Sequence, residues 1–192
     1  MTGLAAVLIS GAPASGKSTL SHLVARELRA AVIGQDVATG PLVRVVQQLV
    51  GVIDLDDPRL AGLTRGPRYQ VVLDLAVDNL AAGMPVVLVA PFTAERTDPA
   101  AWSATHDRLA AAGGTPLLVW LRLEPGEVLR RLRKRGAERD AAKLVDEAAY
   151  LARLTTACEP PVVPHLALDA TRPPDELARA VLDALPSWSA PK

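Results

Sequence analysis

The residue types best suited to chemistry crowd into one short stretch, Gly11-Ala12-Pro13-Ala14-Ser15-Gly16-Lys17-Ser18. It fits the pattern G-x-x-x-x-G-K-[ST]. Glycine at 11 and at 16 permits unusual φ values and lets several backbone N–H groups approach one anion together, where side chains would block them. A helix opening near Lys17 adds unpaired N–H groups and a positive dipole end. The ammonium of Lys17 is placed to reach the outer phosphates of a polyphosphate. The hydroxyl of Ser18 suits Mg²⁺, a hard cation that prefers oxygen ligands. An apolar run ends just before this loop and amphipathic spacing begins just after it, the context in which the pattern binds a nucleotide rather than forming a plain glycine turn.

Two further sets of residues bear on what happens to a bound phosphate. The short apolar run Ala31–Gly34 leads into Gln35-Asp36. In an open parallel sheet, ligands bind beyond the carboxyl ends of strands. Asp36 would then share a rim with the loop, where a carboxylate can accept a proton from an attacking hydroxyl or help hold Mg²⁺. The competing reading makes Asp36 the cap of a helix starting at Val37. Later, "RRLRKRGAERD" begins at Arg130. Arg131 and Arg135 lie four apart on one helix face, and Arg139 follows Gly136. Guanidinium groups stabilise charge on a phosphoryl group in transit, and on a lid they exclude water. A solvated basic helix end is the bland alternative.

These residues need a frame. Four apolar runs have strand length, Leu4–Ser10, Ala31–Gly34, Pro85–Pro91 and Thr115–Leu123, and Val163–Leu168 is a weaker fifth. Helical spacing separates them at Lys17–Arg29, Arg68–Ala82, Pro99–Ala112, Pro125–Arg135 and Asp175–Leu185. Strands alternating with helices predict an α/β fold, a parallel sheet covered on both faces. Residues 1–186 read as one domain and 187–192 as a loose tail.

The chain has 192 residues and 49% hydrophobic content, enough for one sizeable core, and 3% aromatics, so that core is aliphatic. The 21 basic residues balance the 21 acidic ones, which argues against a broad nucleic-acid or membrane footprint. One cysteine, Cys158, excludes an internal disulfide framework or a cysteine-based zinc cluster. His22, His106 and His165 lack metal-ligand spacing, and Trp102, Trp120 and Trp188 read as packing residues. No apolar run is long enough to span a bilayer, and the expected setting is cytoplasmic, as a monomer or homodimer.

A strand, GAPASGKST, a strand ending in Asp and a late R-x-x-x-R-G segment together resemble the P-loop small-molecule kinases. The closest likeness is to the branch holding polynucleotide 5′-kinase domains, chloramphenicol phosphotransferase and uncharacterised AAA-type ATP-binding kinases. The resemblance implies a P-loop NTPase fold, a five-stranded parallel sheet ordered 2-3-1-4-5 with an Arg-rich lid. It implies ATP and Mg²⁺ as cofactors and a small-molecule hydroxyl as acceptor. Carried onto this chain, ATP contacts fall on Gly11 through Thr19, on Arg139, and on Thr171 and Arg172 beside the adenine. Lys17, Asp36, Arg131 and Arg135 take catalytic roles, with Asp36 as base. Ser18 and Asp36 fall to the metal. Asp36, Arg44, Arg68 and Phe92 are candidates to meet the acceptor, with Arg65 and Arg96 nearby. Relatives often end strand three with an aspartate, whereas here Val89 and Ala90 are apolar. Two other readings stay open: a kinase for nucleotides or nucleic-acid 5′ ends, and a nucleotide-binding module that hydrolyses without transferring, to which that departure lends weight.

Overall fold

The computed structural model describes residues 3–53, 57–136 and 147–185. The proposed tail 187–192 and Arg139 lie outside them. Five parallel strands, β1 (Leu4–Gly11), β2 (Ala31–Gly34), β3 (Val86–Val89), β4 (Gly114–Arg122) and β5 (Leu166–Asp169), form one sheet in the order β2-β3-β1-β4-β5. This is the expected order.

The alternation of β1 explains why its sequence is apolar without interruption. Val7 and Ile9 face one side, with Leu20 and Val24 of α1 (Lys17–Leu28), Val128 and Leu132 of α6 (Pro125–Arg135), Tyr150 and Leu154 of α7 (Glu147–Cys158), and Val181 of α8 (Pro174–Asp183). Ala6 and Leu8 face the other, with Val72, Ala76 and Leu80 of α3 (Pro58–Ala81) and Leu109 of α5 (Pro99–Ala111). Both faces of β1 are thus sealed, and its end at Gly11 is held firmly where the phosphate loop begins.

Between β2 and α3 runs α2 (Gln35–Val50), and between β3 and α5 a short helix, α4 (Thr93–Thr97). The helical spacing alone gave neither α2 nor α7, and it began α3 at Arg68, ten residues late. Gly62, Gly66 and Pro67 look like breakers, yet α3 runs through them. A proline within a helix forfeits its own N–H and the bond to the carbonyl four residues back, here Leu63. Leu63 is exposed, so the lost bond falls on the solvent side of α3. The true start was marked by Asp57-Pro58, where the Asp57 carboxylate accepts from the Arg59 N–H at 2.8 Å and proline takes the first turn. At β5 the expected start at Val163 gives way to Leu166, because the pairing with β4 begins at Val119 opposite Leu166.

Phe92 belongs to this core. It is fully buried against the α3 and α5 side chains, with its ring 6.0 Å from that of Tyr69 in an edge contact. The expectation that it meets an acceptor is therefore corrected: a ring with no exposed surface is a packing residue. Phe92→Ala should cost about 3–5 kcal/mol in chemical denaturation, whereas a ring that merely lined a binding site would be lost with little change in stability.

Candidate active site

The rim at the carboxyl ends of the strands carries the predicted site. β1 stops at Gly11, whose φ is 146°. A Cβ there would stand 2.8 Å from the Leu121 carbonyl oxygen and 2.9 Å from Ser15 Oγ, so no other residue fits. The loop continues through Ala14, left-handed at φ 58°, and Gly16 at φ 94°. The helix α1 then opens at Lys17 with no side-chain cap and no acidic residue in its first turn. Its first N–H groups are therefore left for something outside the helix. Ser15 is buried, and its Oγ has no hydrogen-bond partner among the described residues. Lys17 Nζ donates to the carbonyls of Gly11 and Ala12, each at 2.8 Å, folding over the loop. Ser18 and Thr19 are exposed on the first turn of α1, and Pro13 and Ala14 are half-buried. Uncapped amides, a buried orphan hydroxyl and an ammonium together fit a polyphosphate.

Beside the loop lies a cleft of about 420 Å³, lined by Ser15, Thr19, Arg131, Thr171, Arg172 and Leu177 among others. Arg131 is its fixed element. Its Nε donates to Glu127 Oε1 at 2.8 Å, its Nη2 to the Ala170 carbonyl at 2.9 Å and its Nη1 to the Ala14 carbonyl at 3.4 Å. It thus ties α6 to both the phosphate loop and the β5–α8 turn. Hydrogen bonds from Arg130 and then Arg131 lower the Glu127 carboxyl to about 2, so the clamp stays ionised throughout the neutral range. Arg135, one turn further along α6, is exposed. Thr171 is set by its N–H and hydroxyl, which donate to Asp169 Oδ1 at 3.0 and 2.7 Å. Arg172 pairs with Glu176 at 2.7 Å.

On the other side of the loop, Asp36 stands in the first turn of α2. The helix begins at Gln35 and is capped at Gly34 with no side-chain cap bond, so Asp36 is not its N-cap. The capping alternative is thereby set aside. Arg68 Nη2 of α3 donates to Asp36 Oδ1 at 2.6 Å, and Arg68 Nε donates to Thr39 Oγ1 at 3.0 Å. Gly34 pairs with Val89, so the turns after β2 and β3 leave the sheet side by side. Arg44 is exposed two turns along α2 from Asp36, with the small Gly40 between them.

Arg96 moves out of the acceptor set. It is buried, donates from Nη1 to the Glu159 carbonyl at 3.3 Å, and receives the Val162 N–H on its own carbonyl. Its neighbour Glu95 went unnoticed in the sequence. Glu95 is the first acidic side chain past β3, it is buried, and its Oε2 has no partner among the described residues. Nothing in the pattern of "TAERT" marks that residue, because only the packing of α4 buries it.

The profile of the AAA domain family matches residues 7–161. The chain belongs to that family. A search of curated proteins returns no match. Among solved structures, a candidate kinase from Chloroflexus aurantiacus j-10-fl is 20% identical over 96% of this chain and 97% of its own, with a TM-score of 0.67. A gluconokinase from Sinorhizobium meliloti 1021 is 19% identical over 96% and 93%, at 0.60. The Mycobacterium tuberculosis APS kinase, solved with AMPPNP and APS, is 22% identical over 97% and 100%, at 0.59. The fold of this AAA domain is that of the P-loop small-molecule kinases.

Two outcomes test this geometry. Ala14→Gly relieves a left-handed alanine and should stabilise the fold by about 1 kcal/mol, read by thermal or urea unfolding. Burial raises the Glu95 carboxyl, partly offset by its own N–H and by Arg65. The folded chain then holds that proton more tightly than the unfolded chain, and Glu95 subtracts stability as pH climbs above about 4.3. The melting temperature of Glu95→Gln should therefore gain on that of the parent between pH 4 and pH 8. A constant difference would place Glu95 in contact with water.

Proposed function

We propose that the protein is an ATP-dependent kinase that moves a phosphoryl group to a hydroxyl of a small molecule. The observation that carries this reading is the placement of Asp36. A carboxylate held by Arg68 stands on the same rim as an uncapped phosphate loop, on a helix separate from it. A hydrolase needs a positioned water, whereas a kinase needs a base that an acceptor alcohol can reach.

In this reading the amides from Gly11 to Thr19 hold the phosphates, and Arg131, Thr171 and Arg172 flank the nucleotide. Lys17 leaves the Gly11 and Ala12 carbonyls and turns its charge to the transferred group. Ser18 supplies an oxygen ligand for Mg²⁺, which neutralises phosphate charge when bound. The exposed carboxylate of Asp36 is a further ligand or the base, and no cluster of three potential metal-ligating His, Cys, Asp or Glu residues accompanies it among the described residues. Asp36 takes the hydroxyl proton as the acceptor oxygen bonds to phosphorus and the bond to the leaving diphosphate breaks. Arg68 positions Asp36, and Arg44 and Arg65 face the acceptor with positive charge. Arg135 belongs to the lid. The gluconokinase and the APS kinase support a small-molecule acceptor by analogy of fold. Balanced charge speaks against a nucleic-acid 5′ end. No helix among the described residues is long and apolar enough to cross a membrane.

The apolar end of β3 favours a second reading, a module that hydrolyses ATP and passes nothing on. One experiment separates the two. With γ-labelled ATP and a pool of small metabolites, the parent should yield a labelled product. Asp36→Asn should lower that transfer at least about 100-fold while ATP affinity stays within about twofold. Label released only as inorganic phosphate would favour hydrolysis, and full transfer in Asp36→Asn would remove the base.

A further inference from the structure

The helix that carries Asp36 leaves an apolar side uncovered. α2 turns Val43 inward, where it joins Val52 and Leu60 in a small core with Val46 and Val50 packed against it. About a third of a turn away around the helix, Pro41, Leu42, Val45 and Leu49 form a row at helical spacing. Leu42 is 69% exposed, Val45 51% and Leu49 82%. Ile53, just beyond the left-handed Gly51, is 96% exposed, and Val37 at the other end is 84% exposed. Isolated exposed aliphatics are ordinary, but a contiguous row of them marks an interaction site. The only charged residues of α2 are Asp36 and Arg44, and neither falls within the row.

We propose that this row is a self-association surface, across which α2 of a second copy packs about a twofold axis. Four observations favour a second copy over other occupants. The row is self-complementary: with Val45 near the axis, Leu42 of each copy meets Leu49 of the other, as an isologous contact requires. Its exposed apolar side chains offer at most roughly 600 Å² per chain, so that complete pairing reaches the lower bound of a specific, stable interface. A membrane surface calls for flanking cations, and α2 supplies only Arg44. The acceptor itself is accounted for on another side of the helix, where Asp36, Gly40 and Arg44 follow one another at i, i+4 and i+8. The inference is independent of whether phosphotransfer occurs.

Light scattering coupled to size exclusion tests it on the full chain over about 1–100 µM, a range in which mass action shifts a modest dimer. The parent should move toward twice the chain mass as concentration rises. Leu42→Ser/Leu49→Ser should raise the dissociation constant at least tenfold, with a melting profile close to the parent's at a concentration where both are monomeric, and Leu75→Ser on α3 should leave the dissociation constant alone. Should the double variant fail to fold, Ile53→Lys carries the same expectation from a position beyond the helix. A parent that stays monomeric throughout overturns the proposal, as does a dimer that Leu42→Ser/Leu49→Ser or Ile53→Lys leaves unweakened. A monomer that instead binds phosphatidylglycerol vesicles assigns the row to a lipid surface and overturns it too.

Discussion

Unpaired backbone N–H groups gathered between β1 and α1 are the constraint around which the rest of the rim is arranged. An amide without a partner is costly when buried, so the loop stands where an anion can supply the missing acceptors. Its geometry demands a glycine with no room for a Cβ at Gly11 and an alanine forced into the left-handed region at Ala14. Such strain persists only when the flanking elements over-determine it. Here β1 is sealed on both faces, and α1 is anchored by Leu20 and Val24. The Ser10 hydroxyl also donates to the Pro91 carbonyl at 2.7 Å, locking the end of β1 to the exit of β3.

Two arms then flank the loop, each held by an arginine. Arg131 connects α6 to the Ala14 and Ala170 carbonyls on the β5 side of the loop. Arg68 connects α3 to Asp36 and Thr39 on the β2 side of the loop. Both bridge sequence-distant elements through several forked bonds, a task that suits a planar guanidinium better than an ammonium. The arms differ in support. α6 rests on the main core through Val128 and Leu132, whereas α2 shares with α3 a core of only a few side chains. The arm built on α2 is therefore the less firmly held, and its outward apolar row is where further support would attach.

Much of this was legible in advance because its causes are local. The G-x-x-x-x-G-K-S loop, the strand ending before Asp36 and the helix Pro125–Arg135 were all readable from short-range spacing, and the strand order followed from the kinase resemblance. What could not be read depended on packing partners far away in sequence. α7 was missed although Tyr150 and Leu154 are buried in the main core and Leu151 and Cys158 pack against it. Phe92 sat in a loop that seemed to face a ligand, and the core claimed it. Glu95 and Arg96 look like ordinary surface charges until α4 buries them.

By itself the sequence determined that a phosphate cradle would form at the end of a buried strand in a parallel sheet. Glycine freedom, helix-end amides and apolar alternation are properties of neighbouring residues, and they act wherever those residues occur. Only the tertiary structure decided how the charged groups around the cradle are paired. It gave Asp36 to Arg68 across 32 positions and Arg131 to Ala170 across 39. Pairing between distant side chains depends on where the sheet places their elements, a matter that no local pattern encodes.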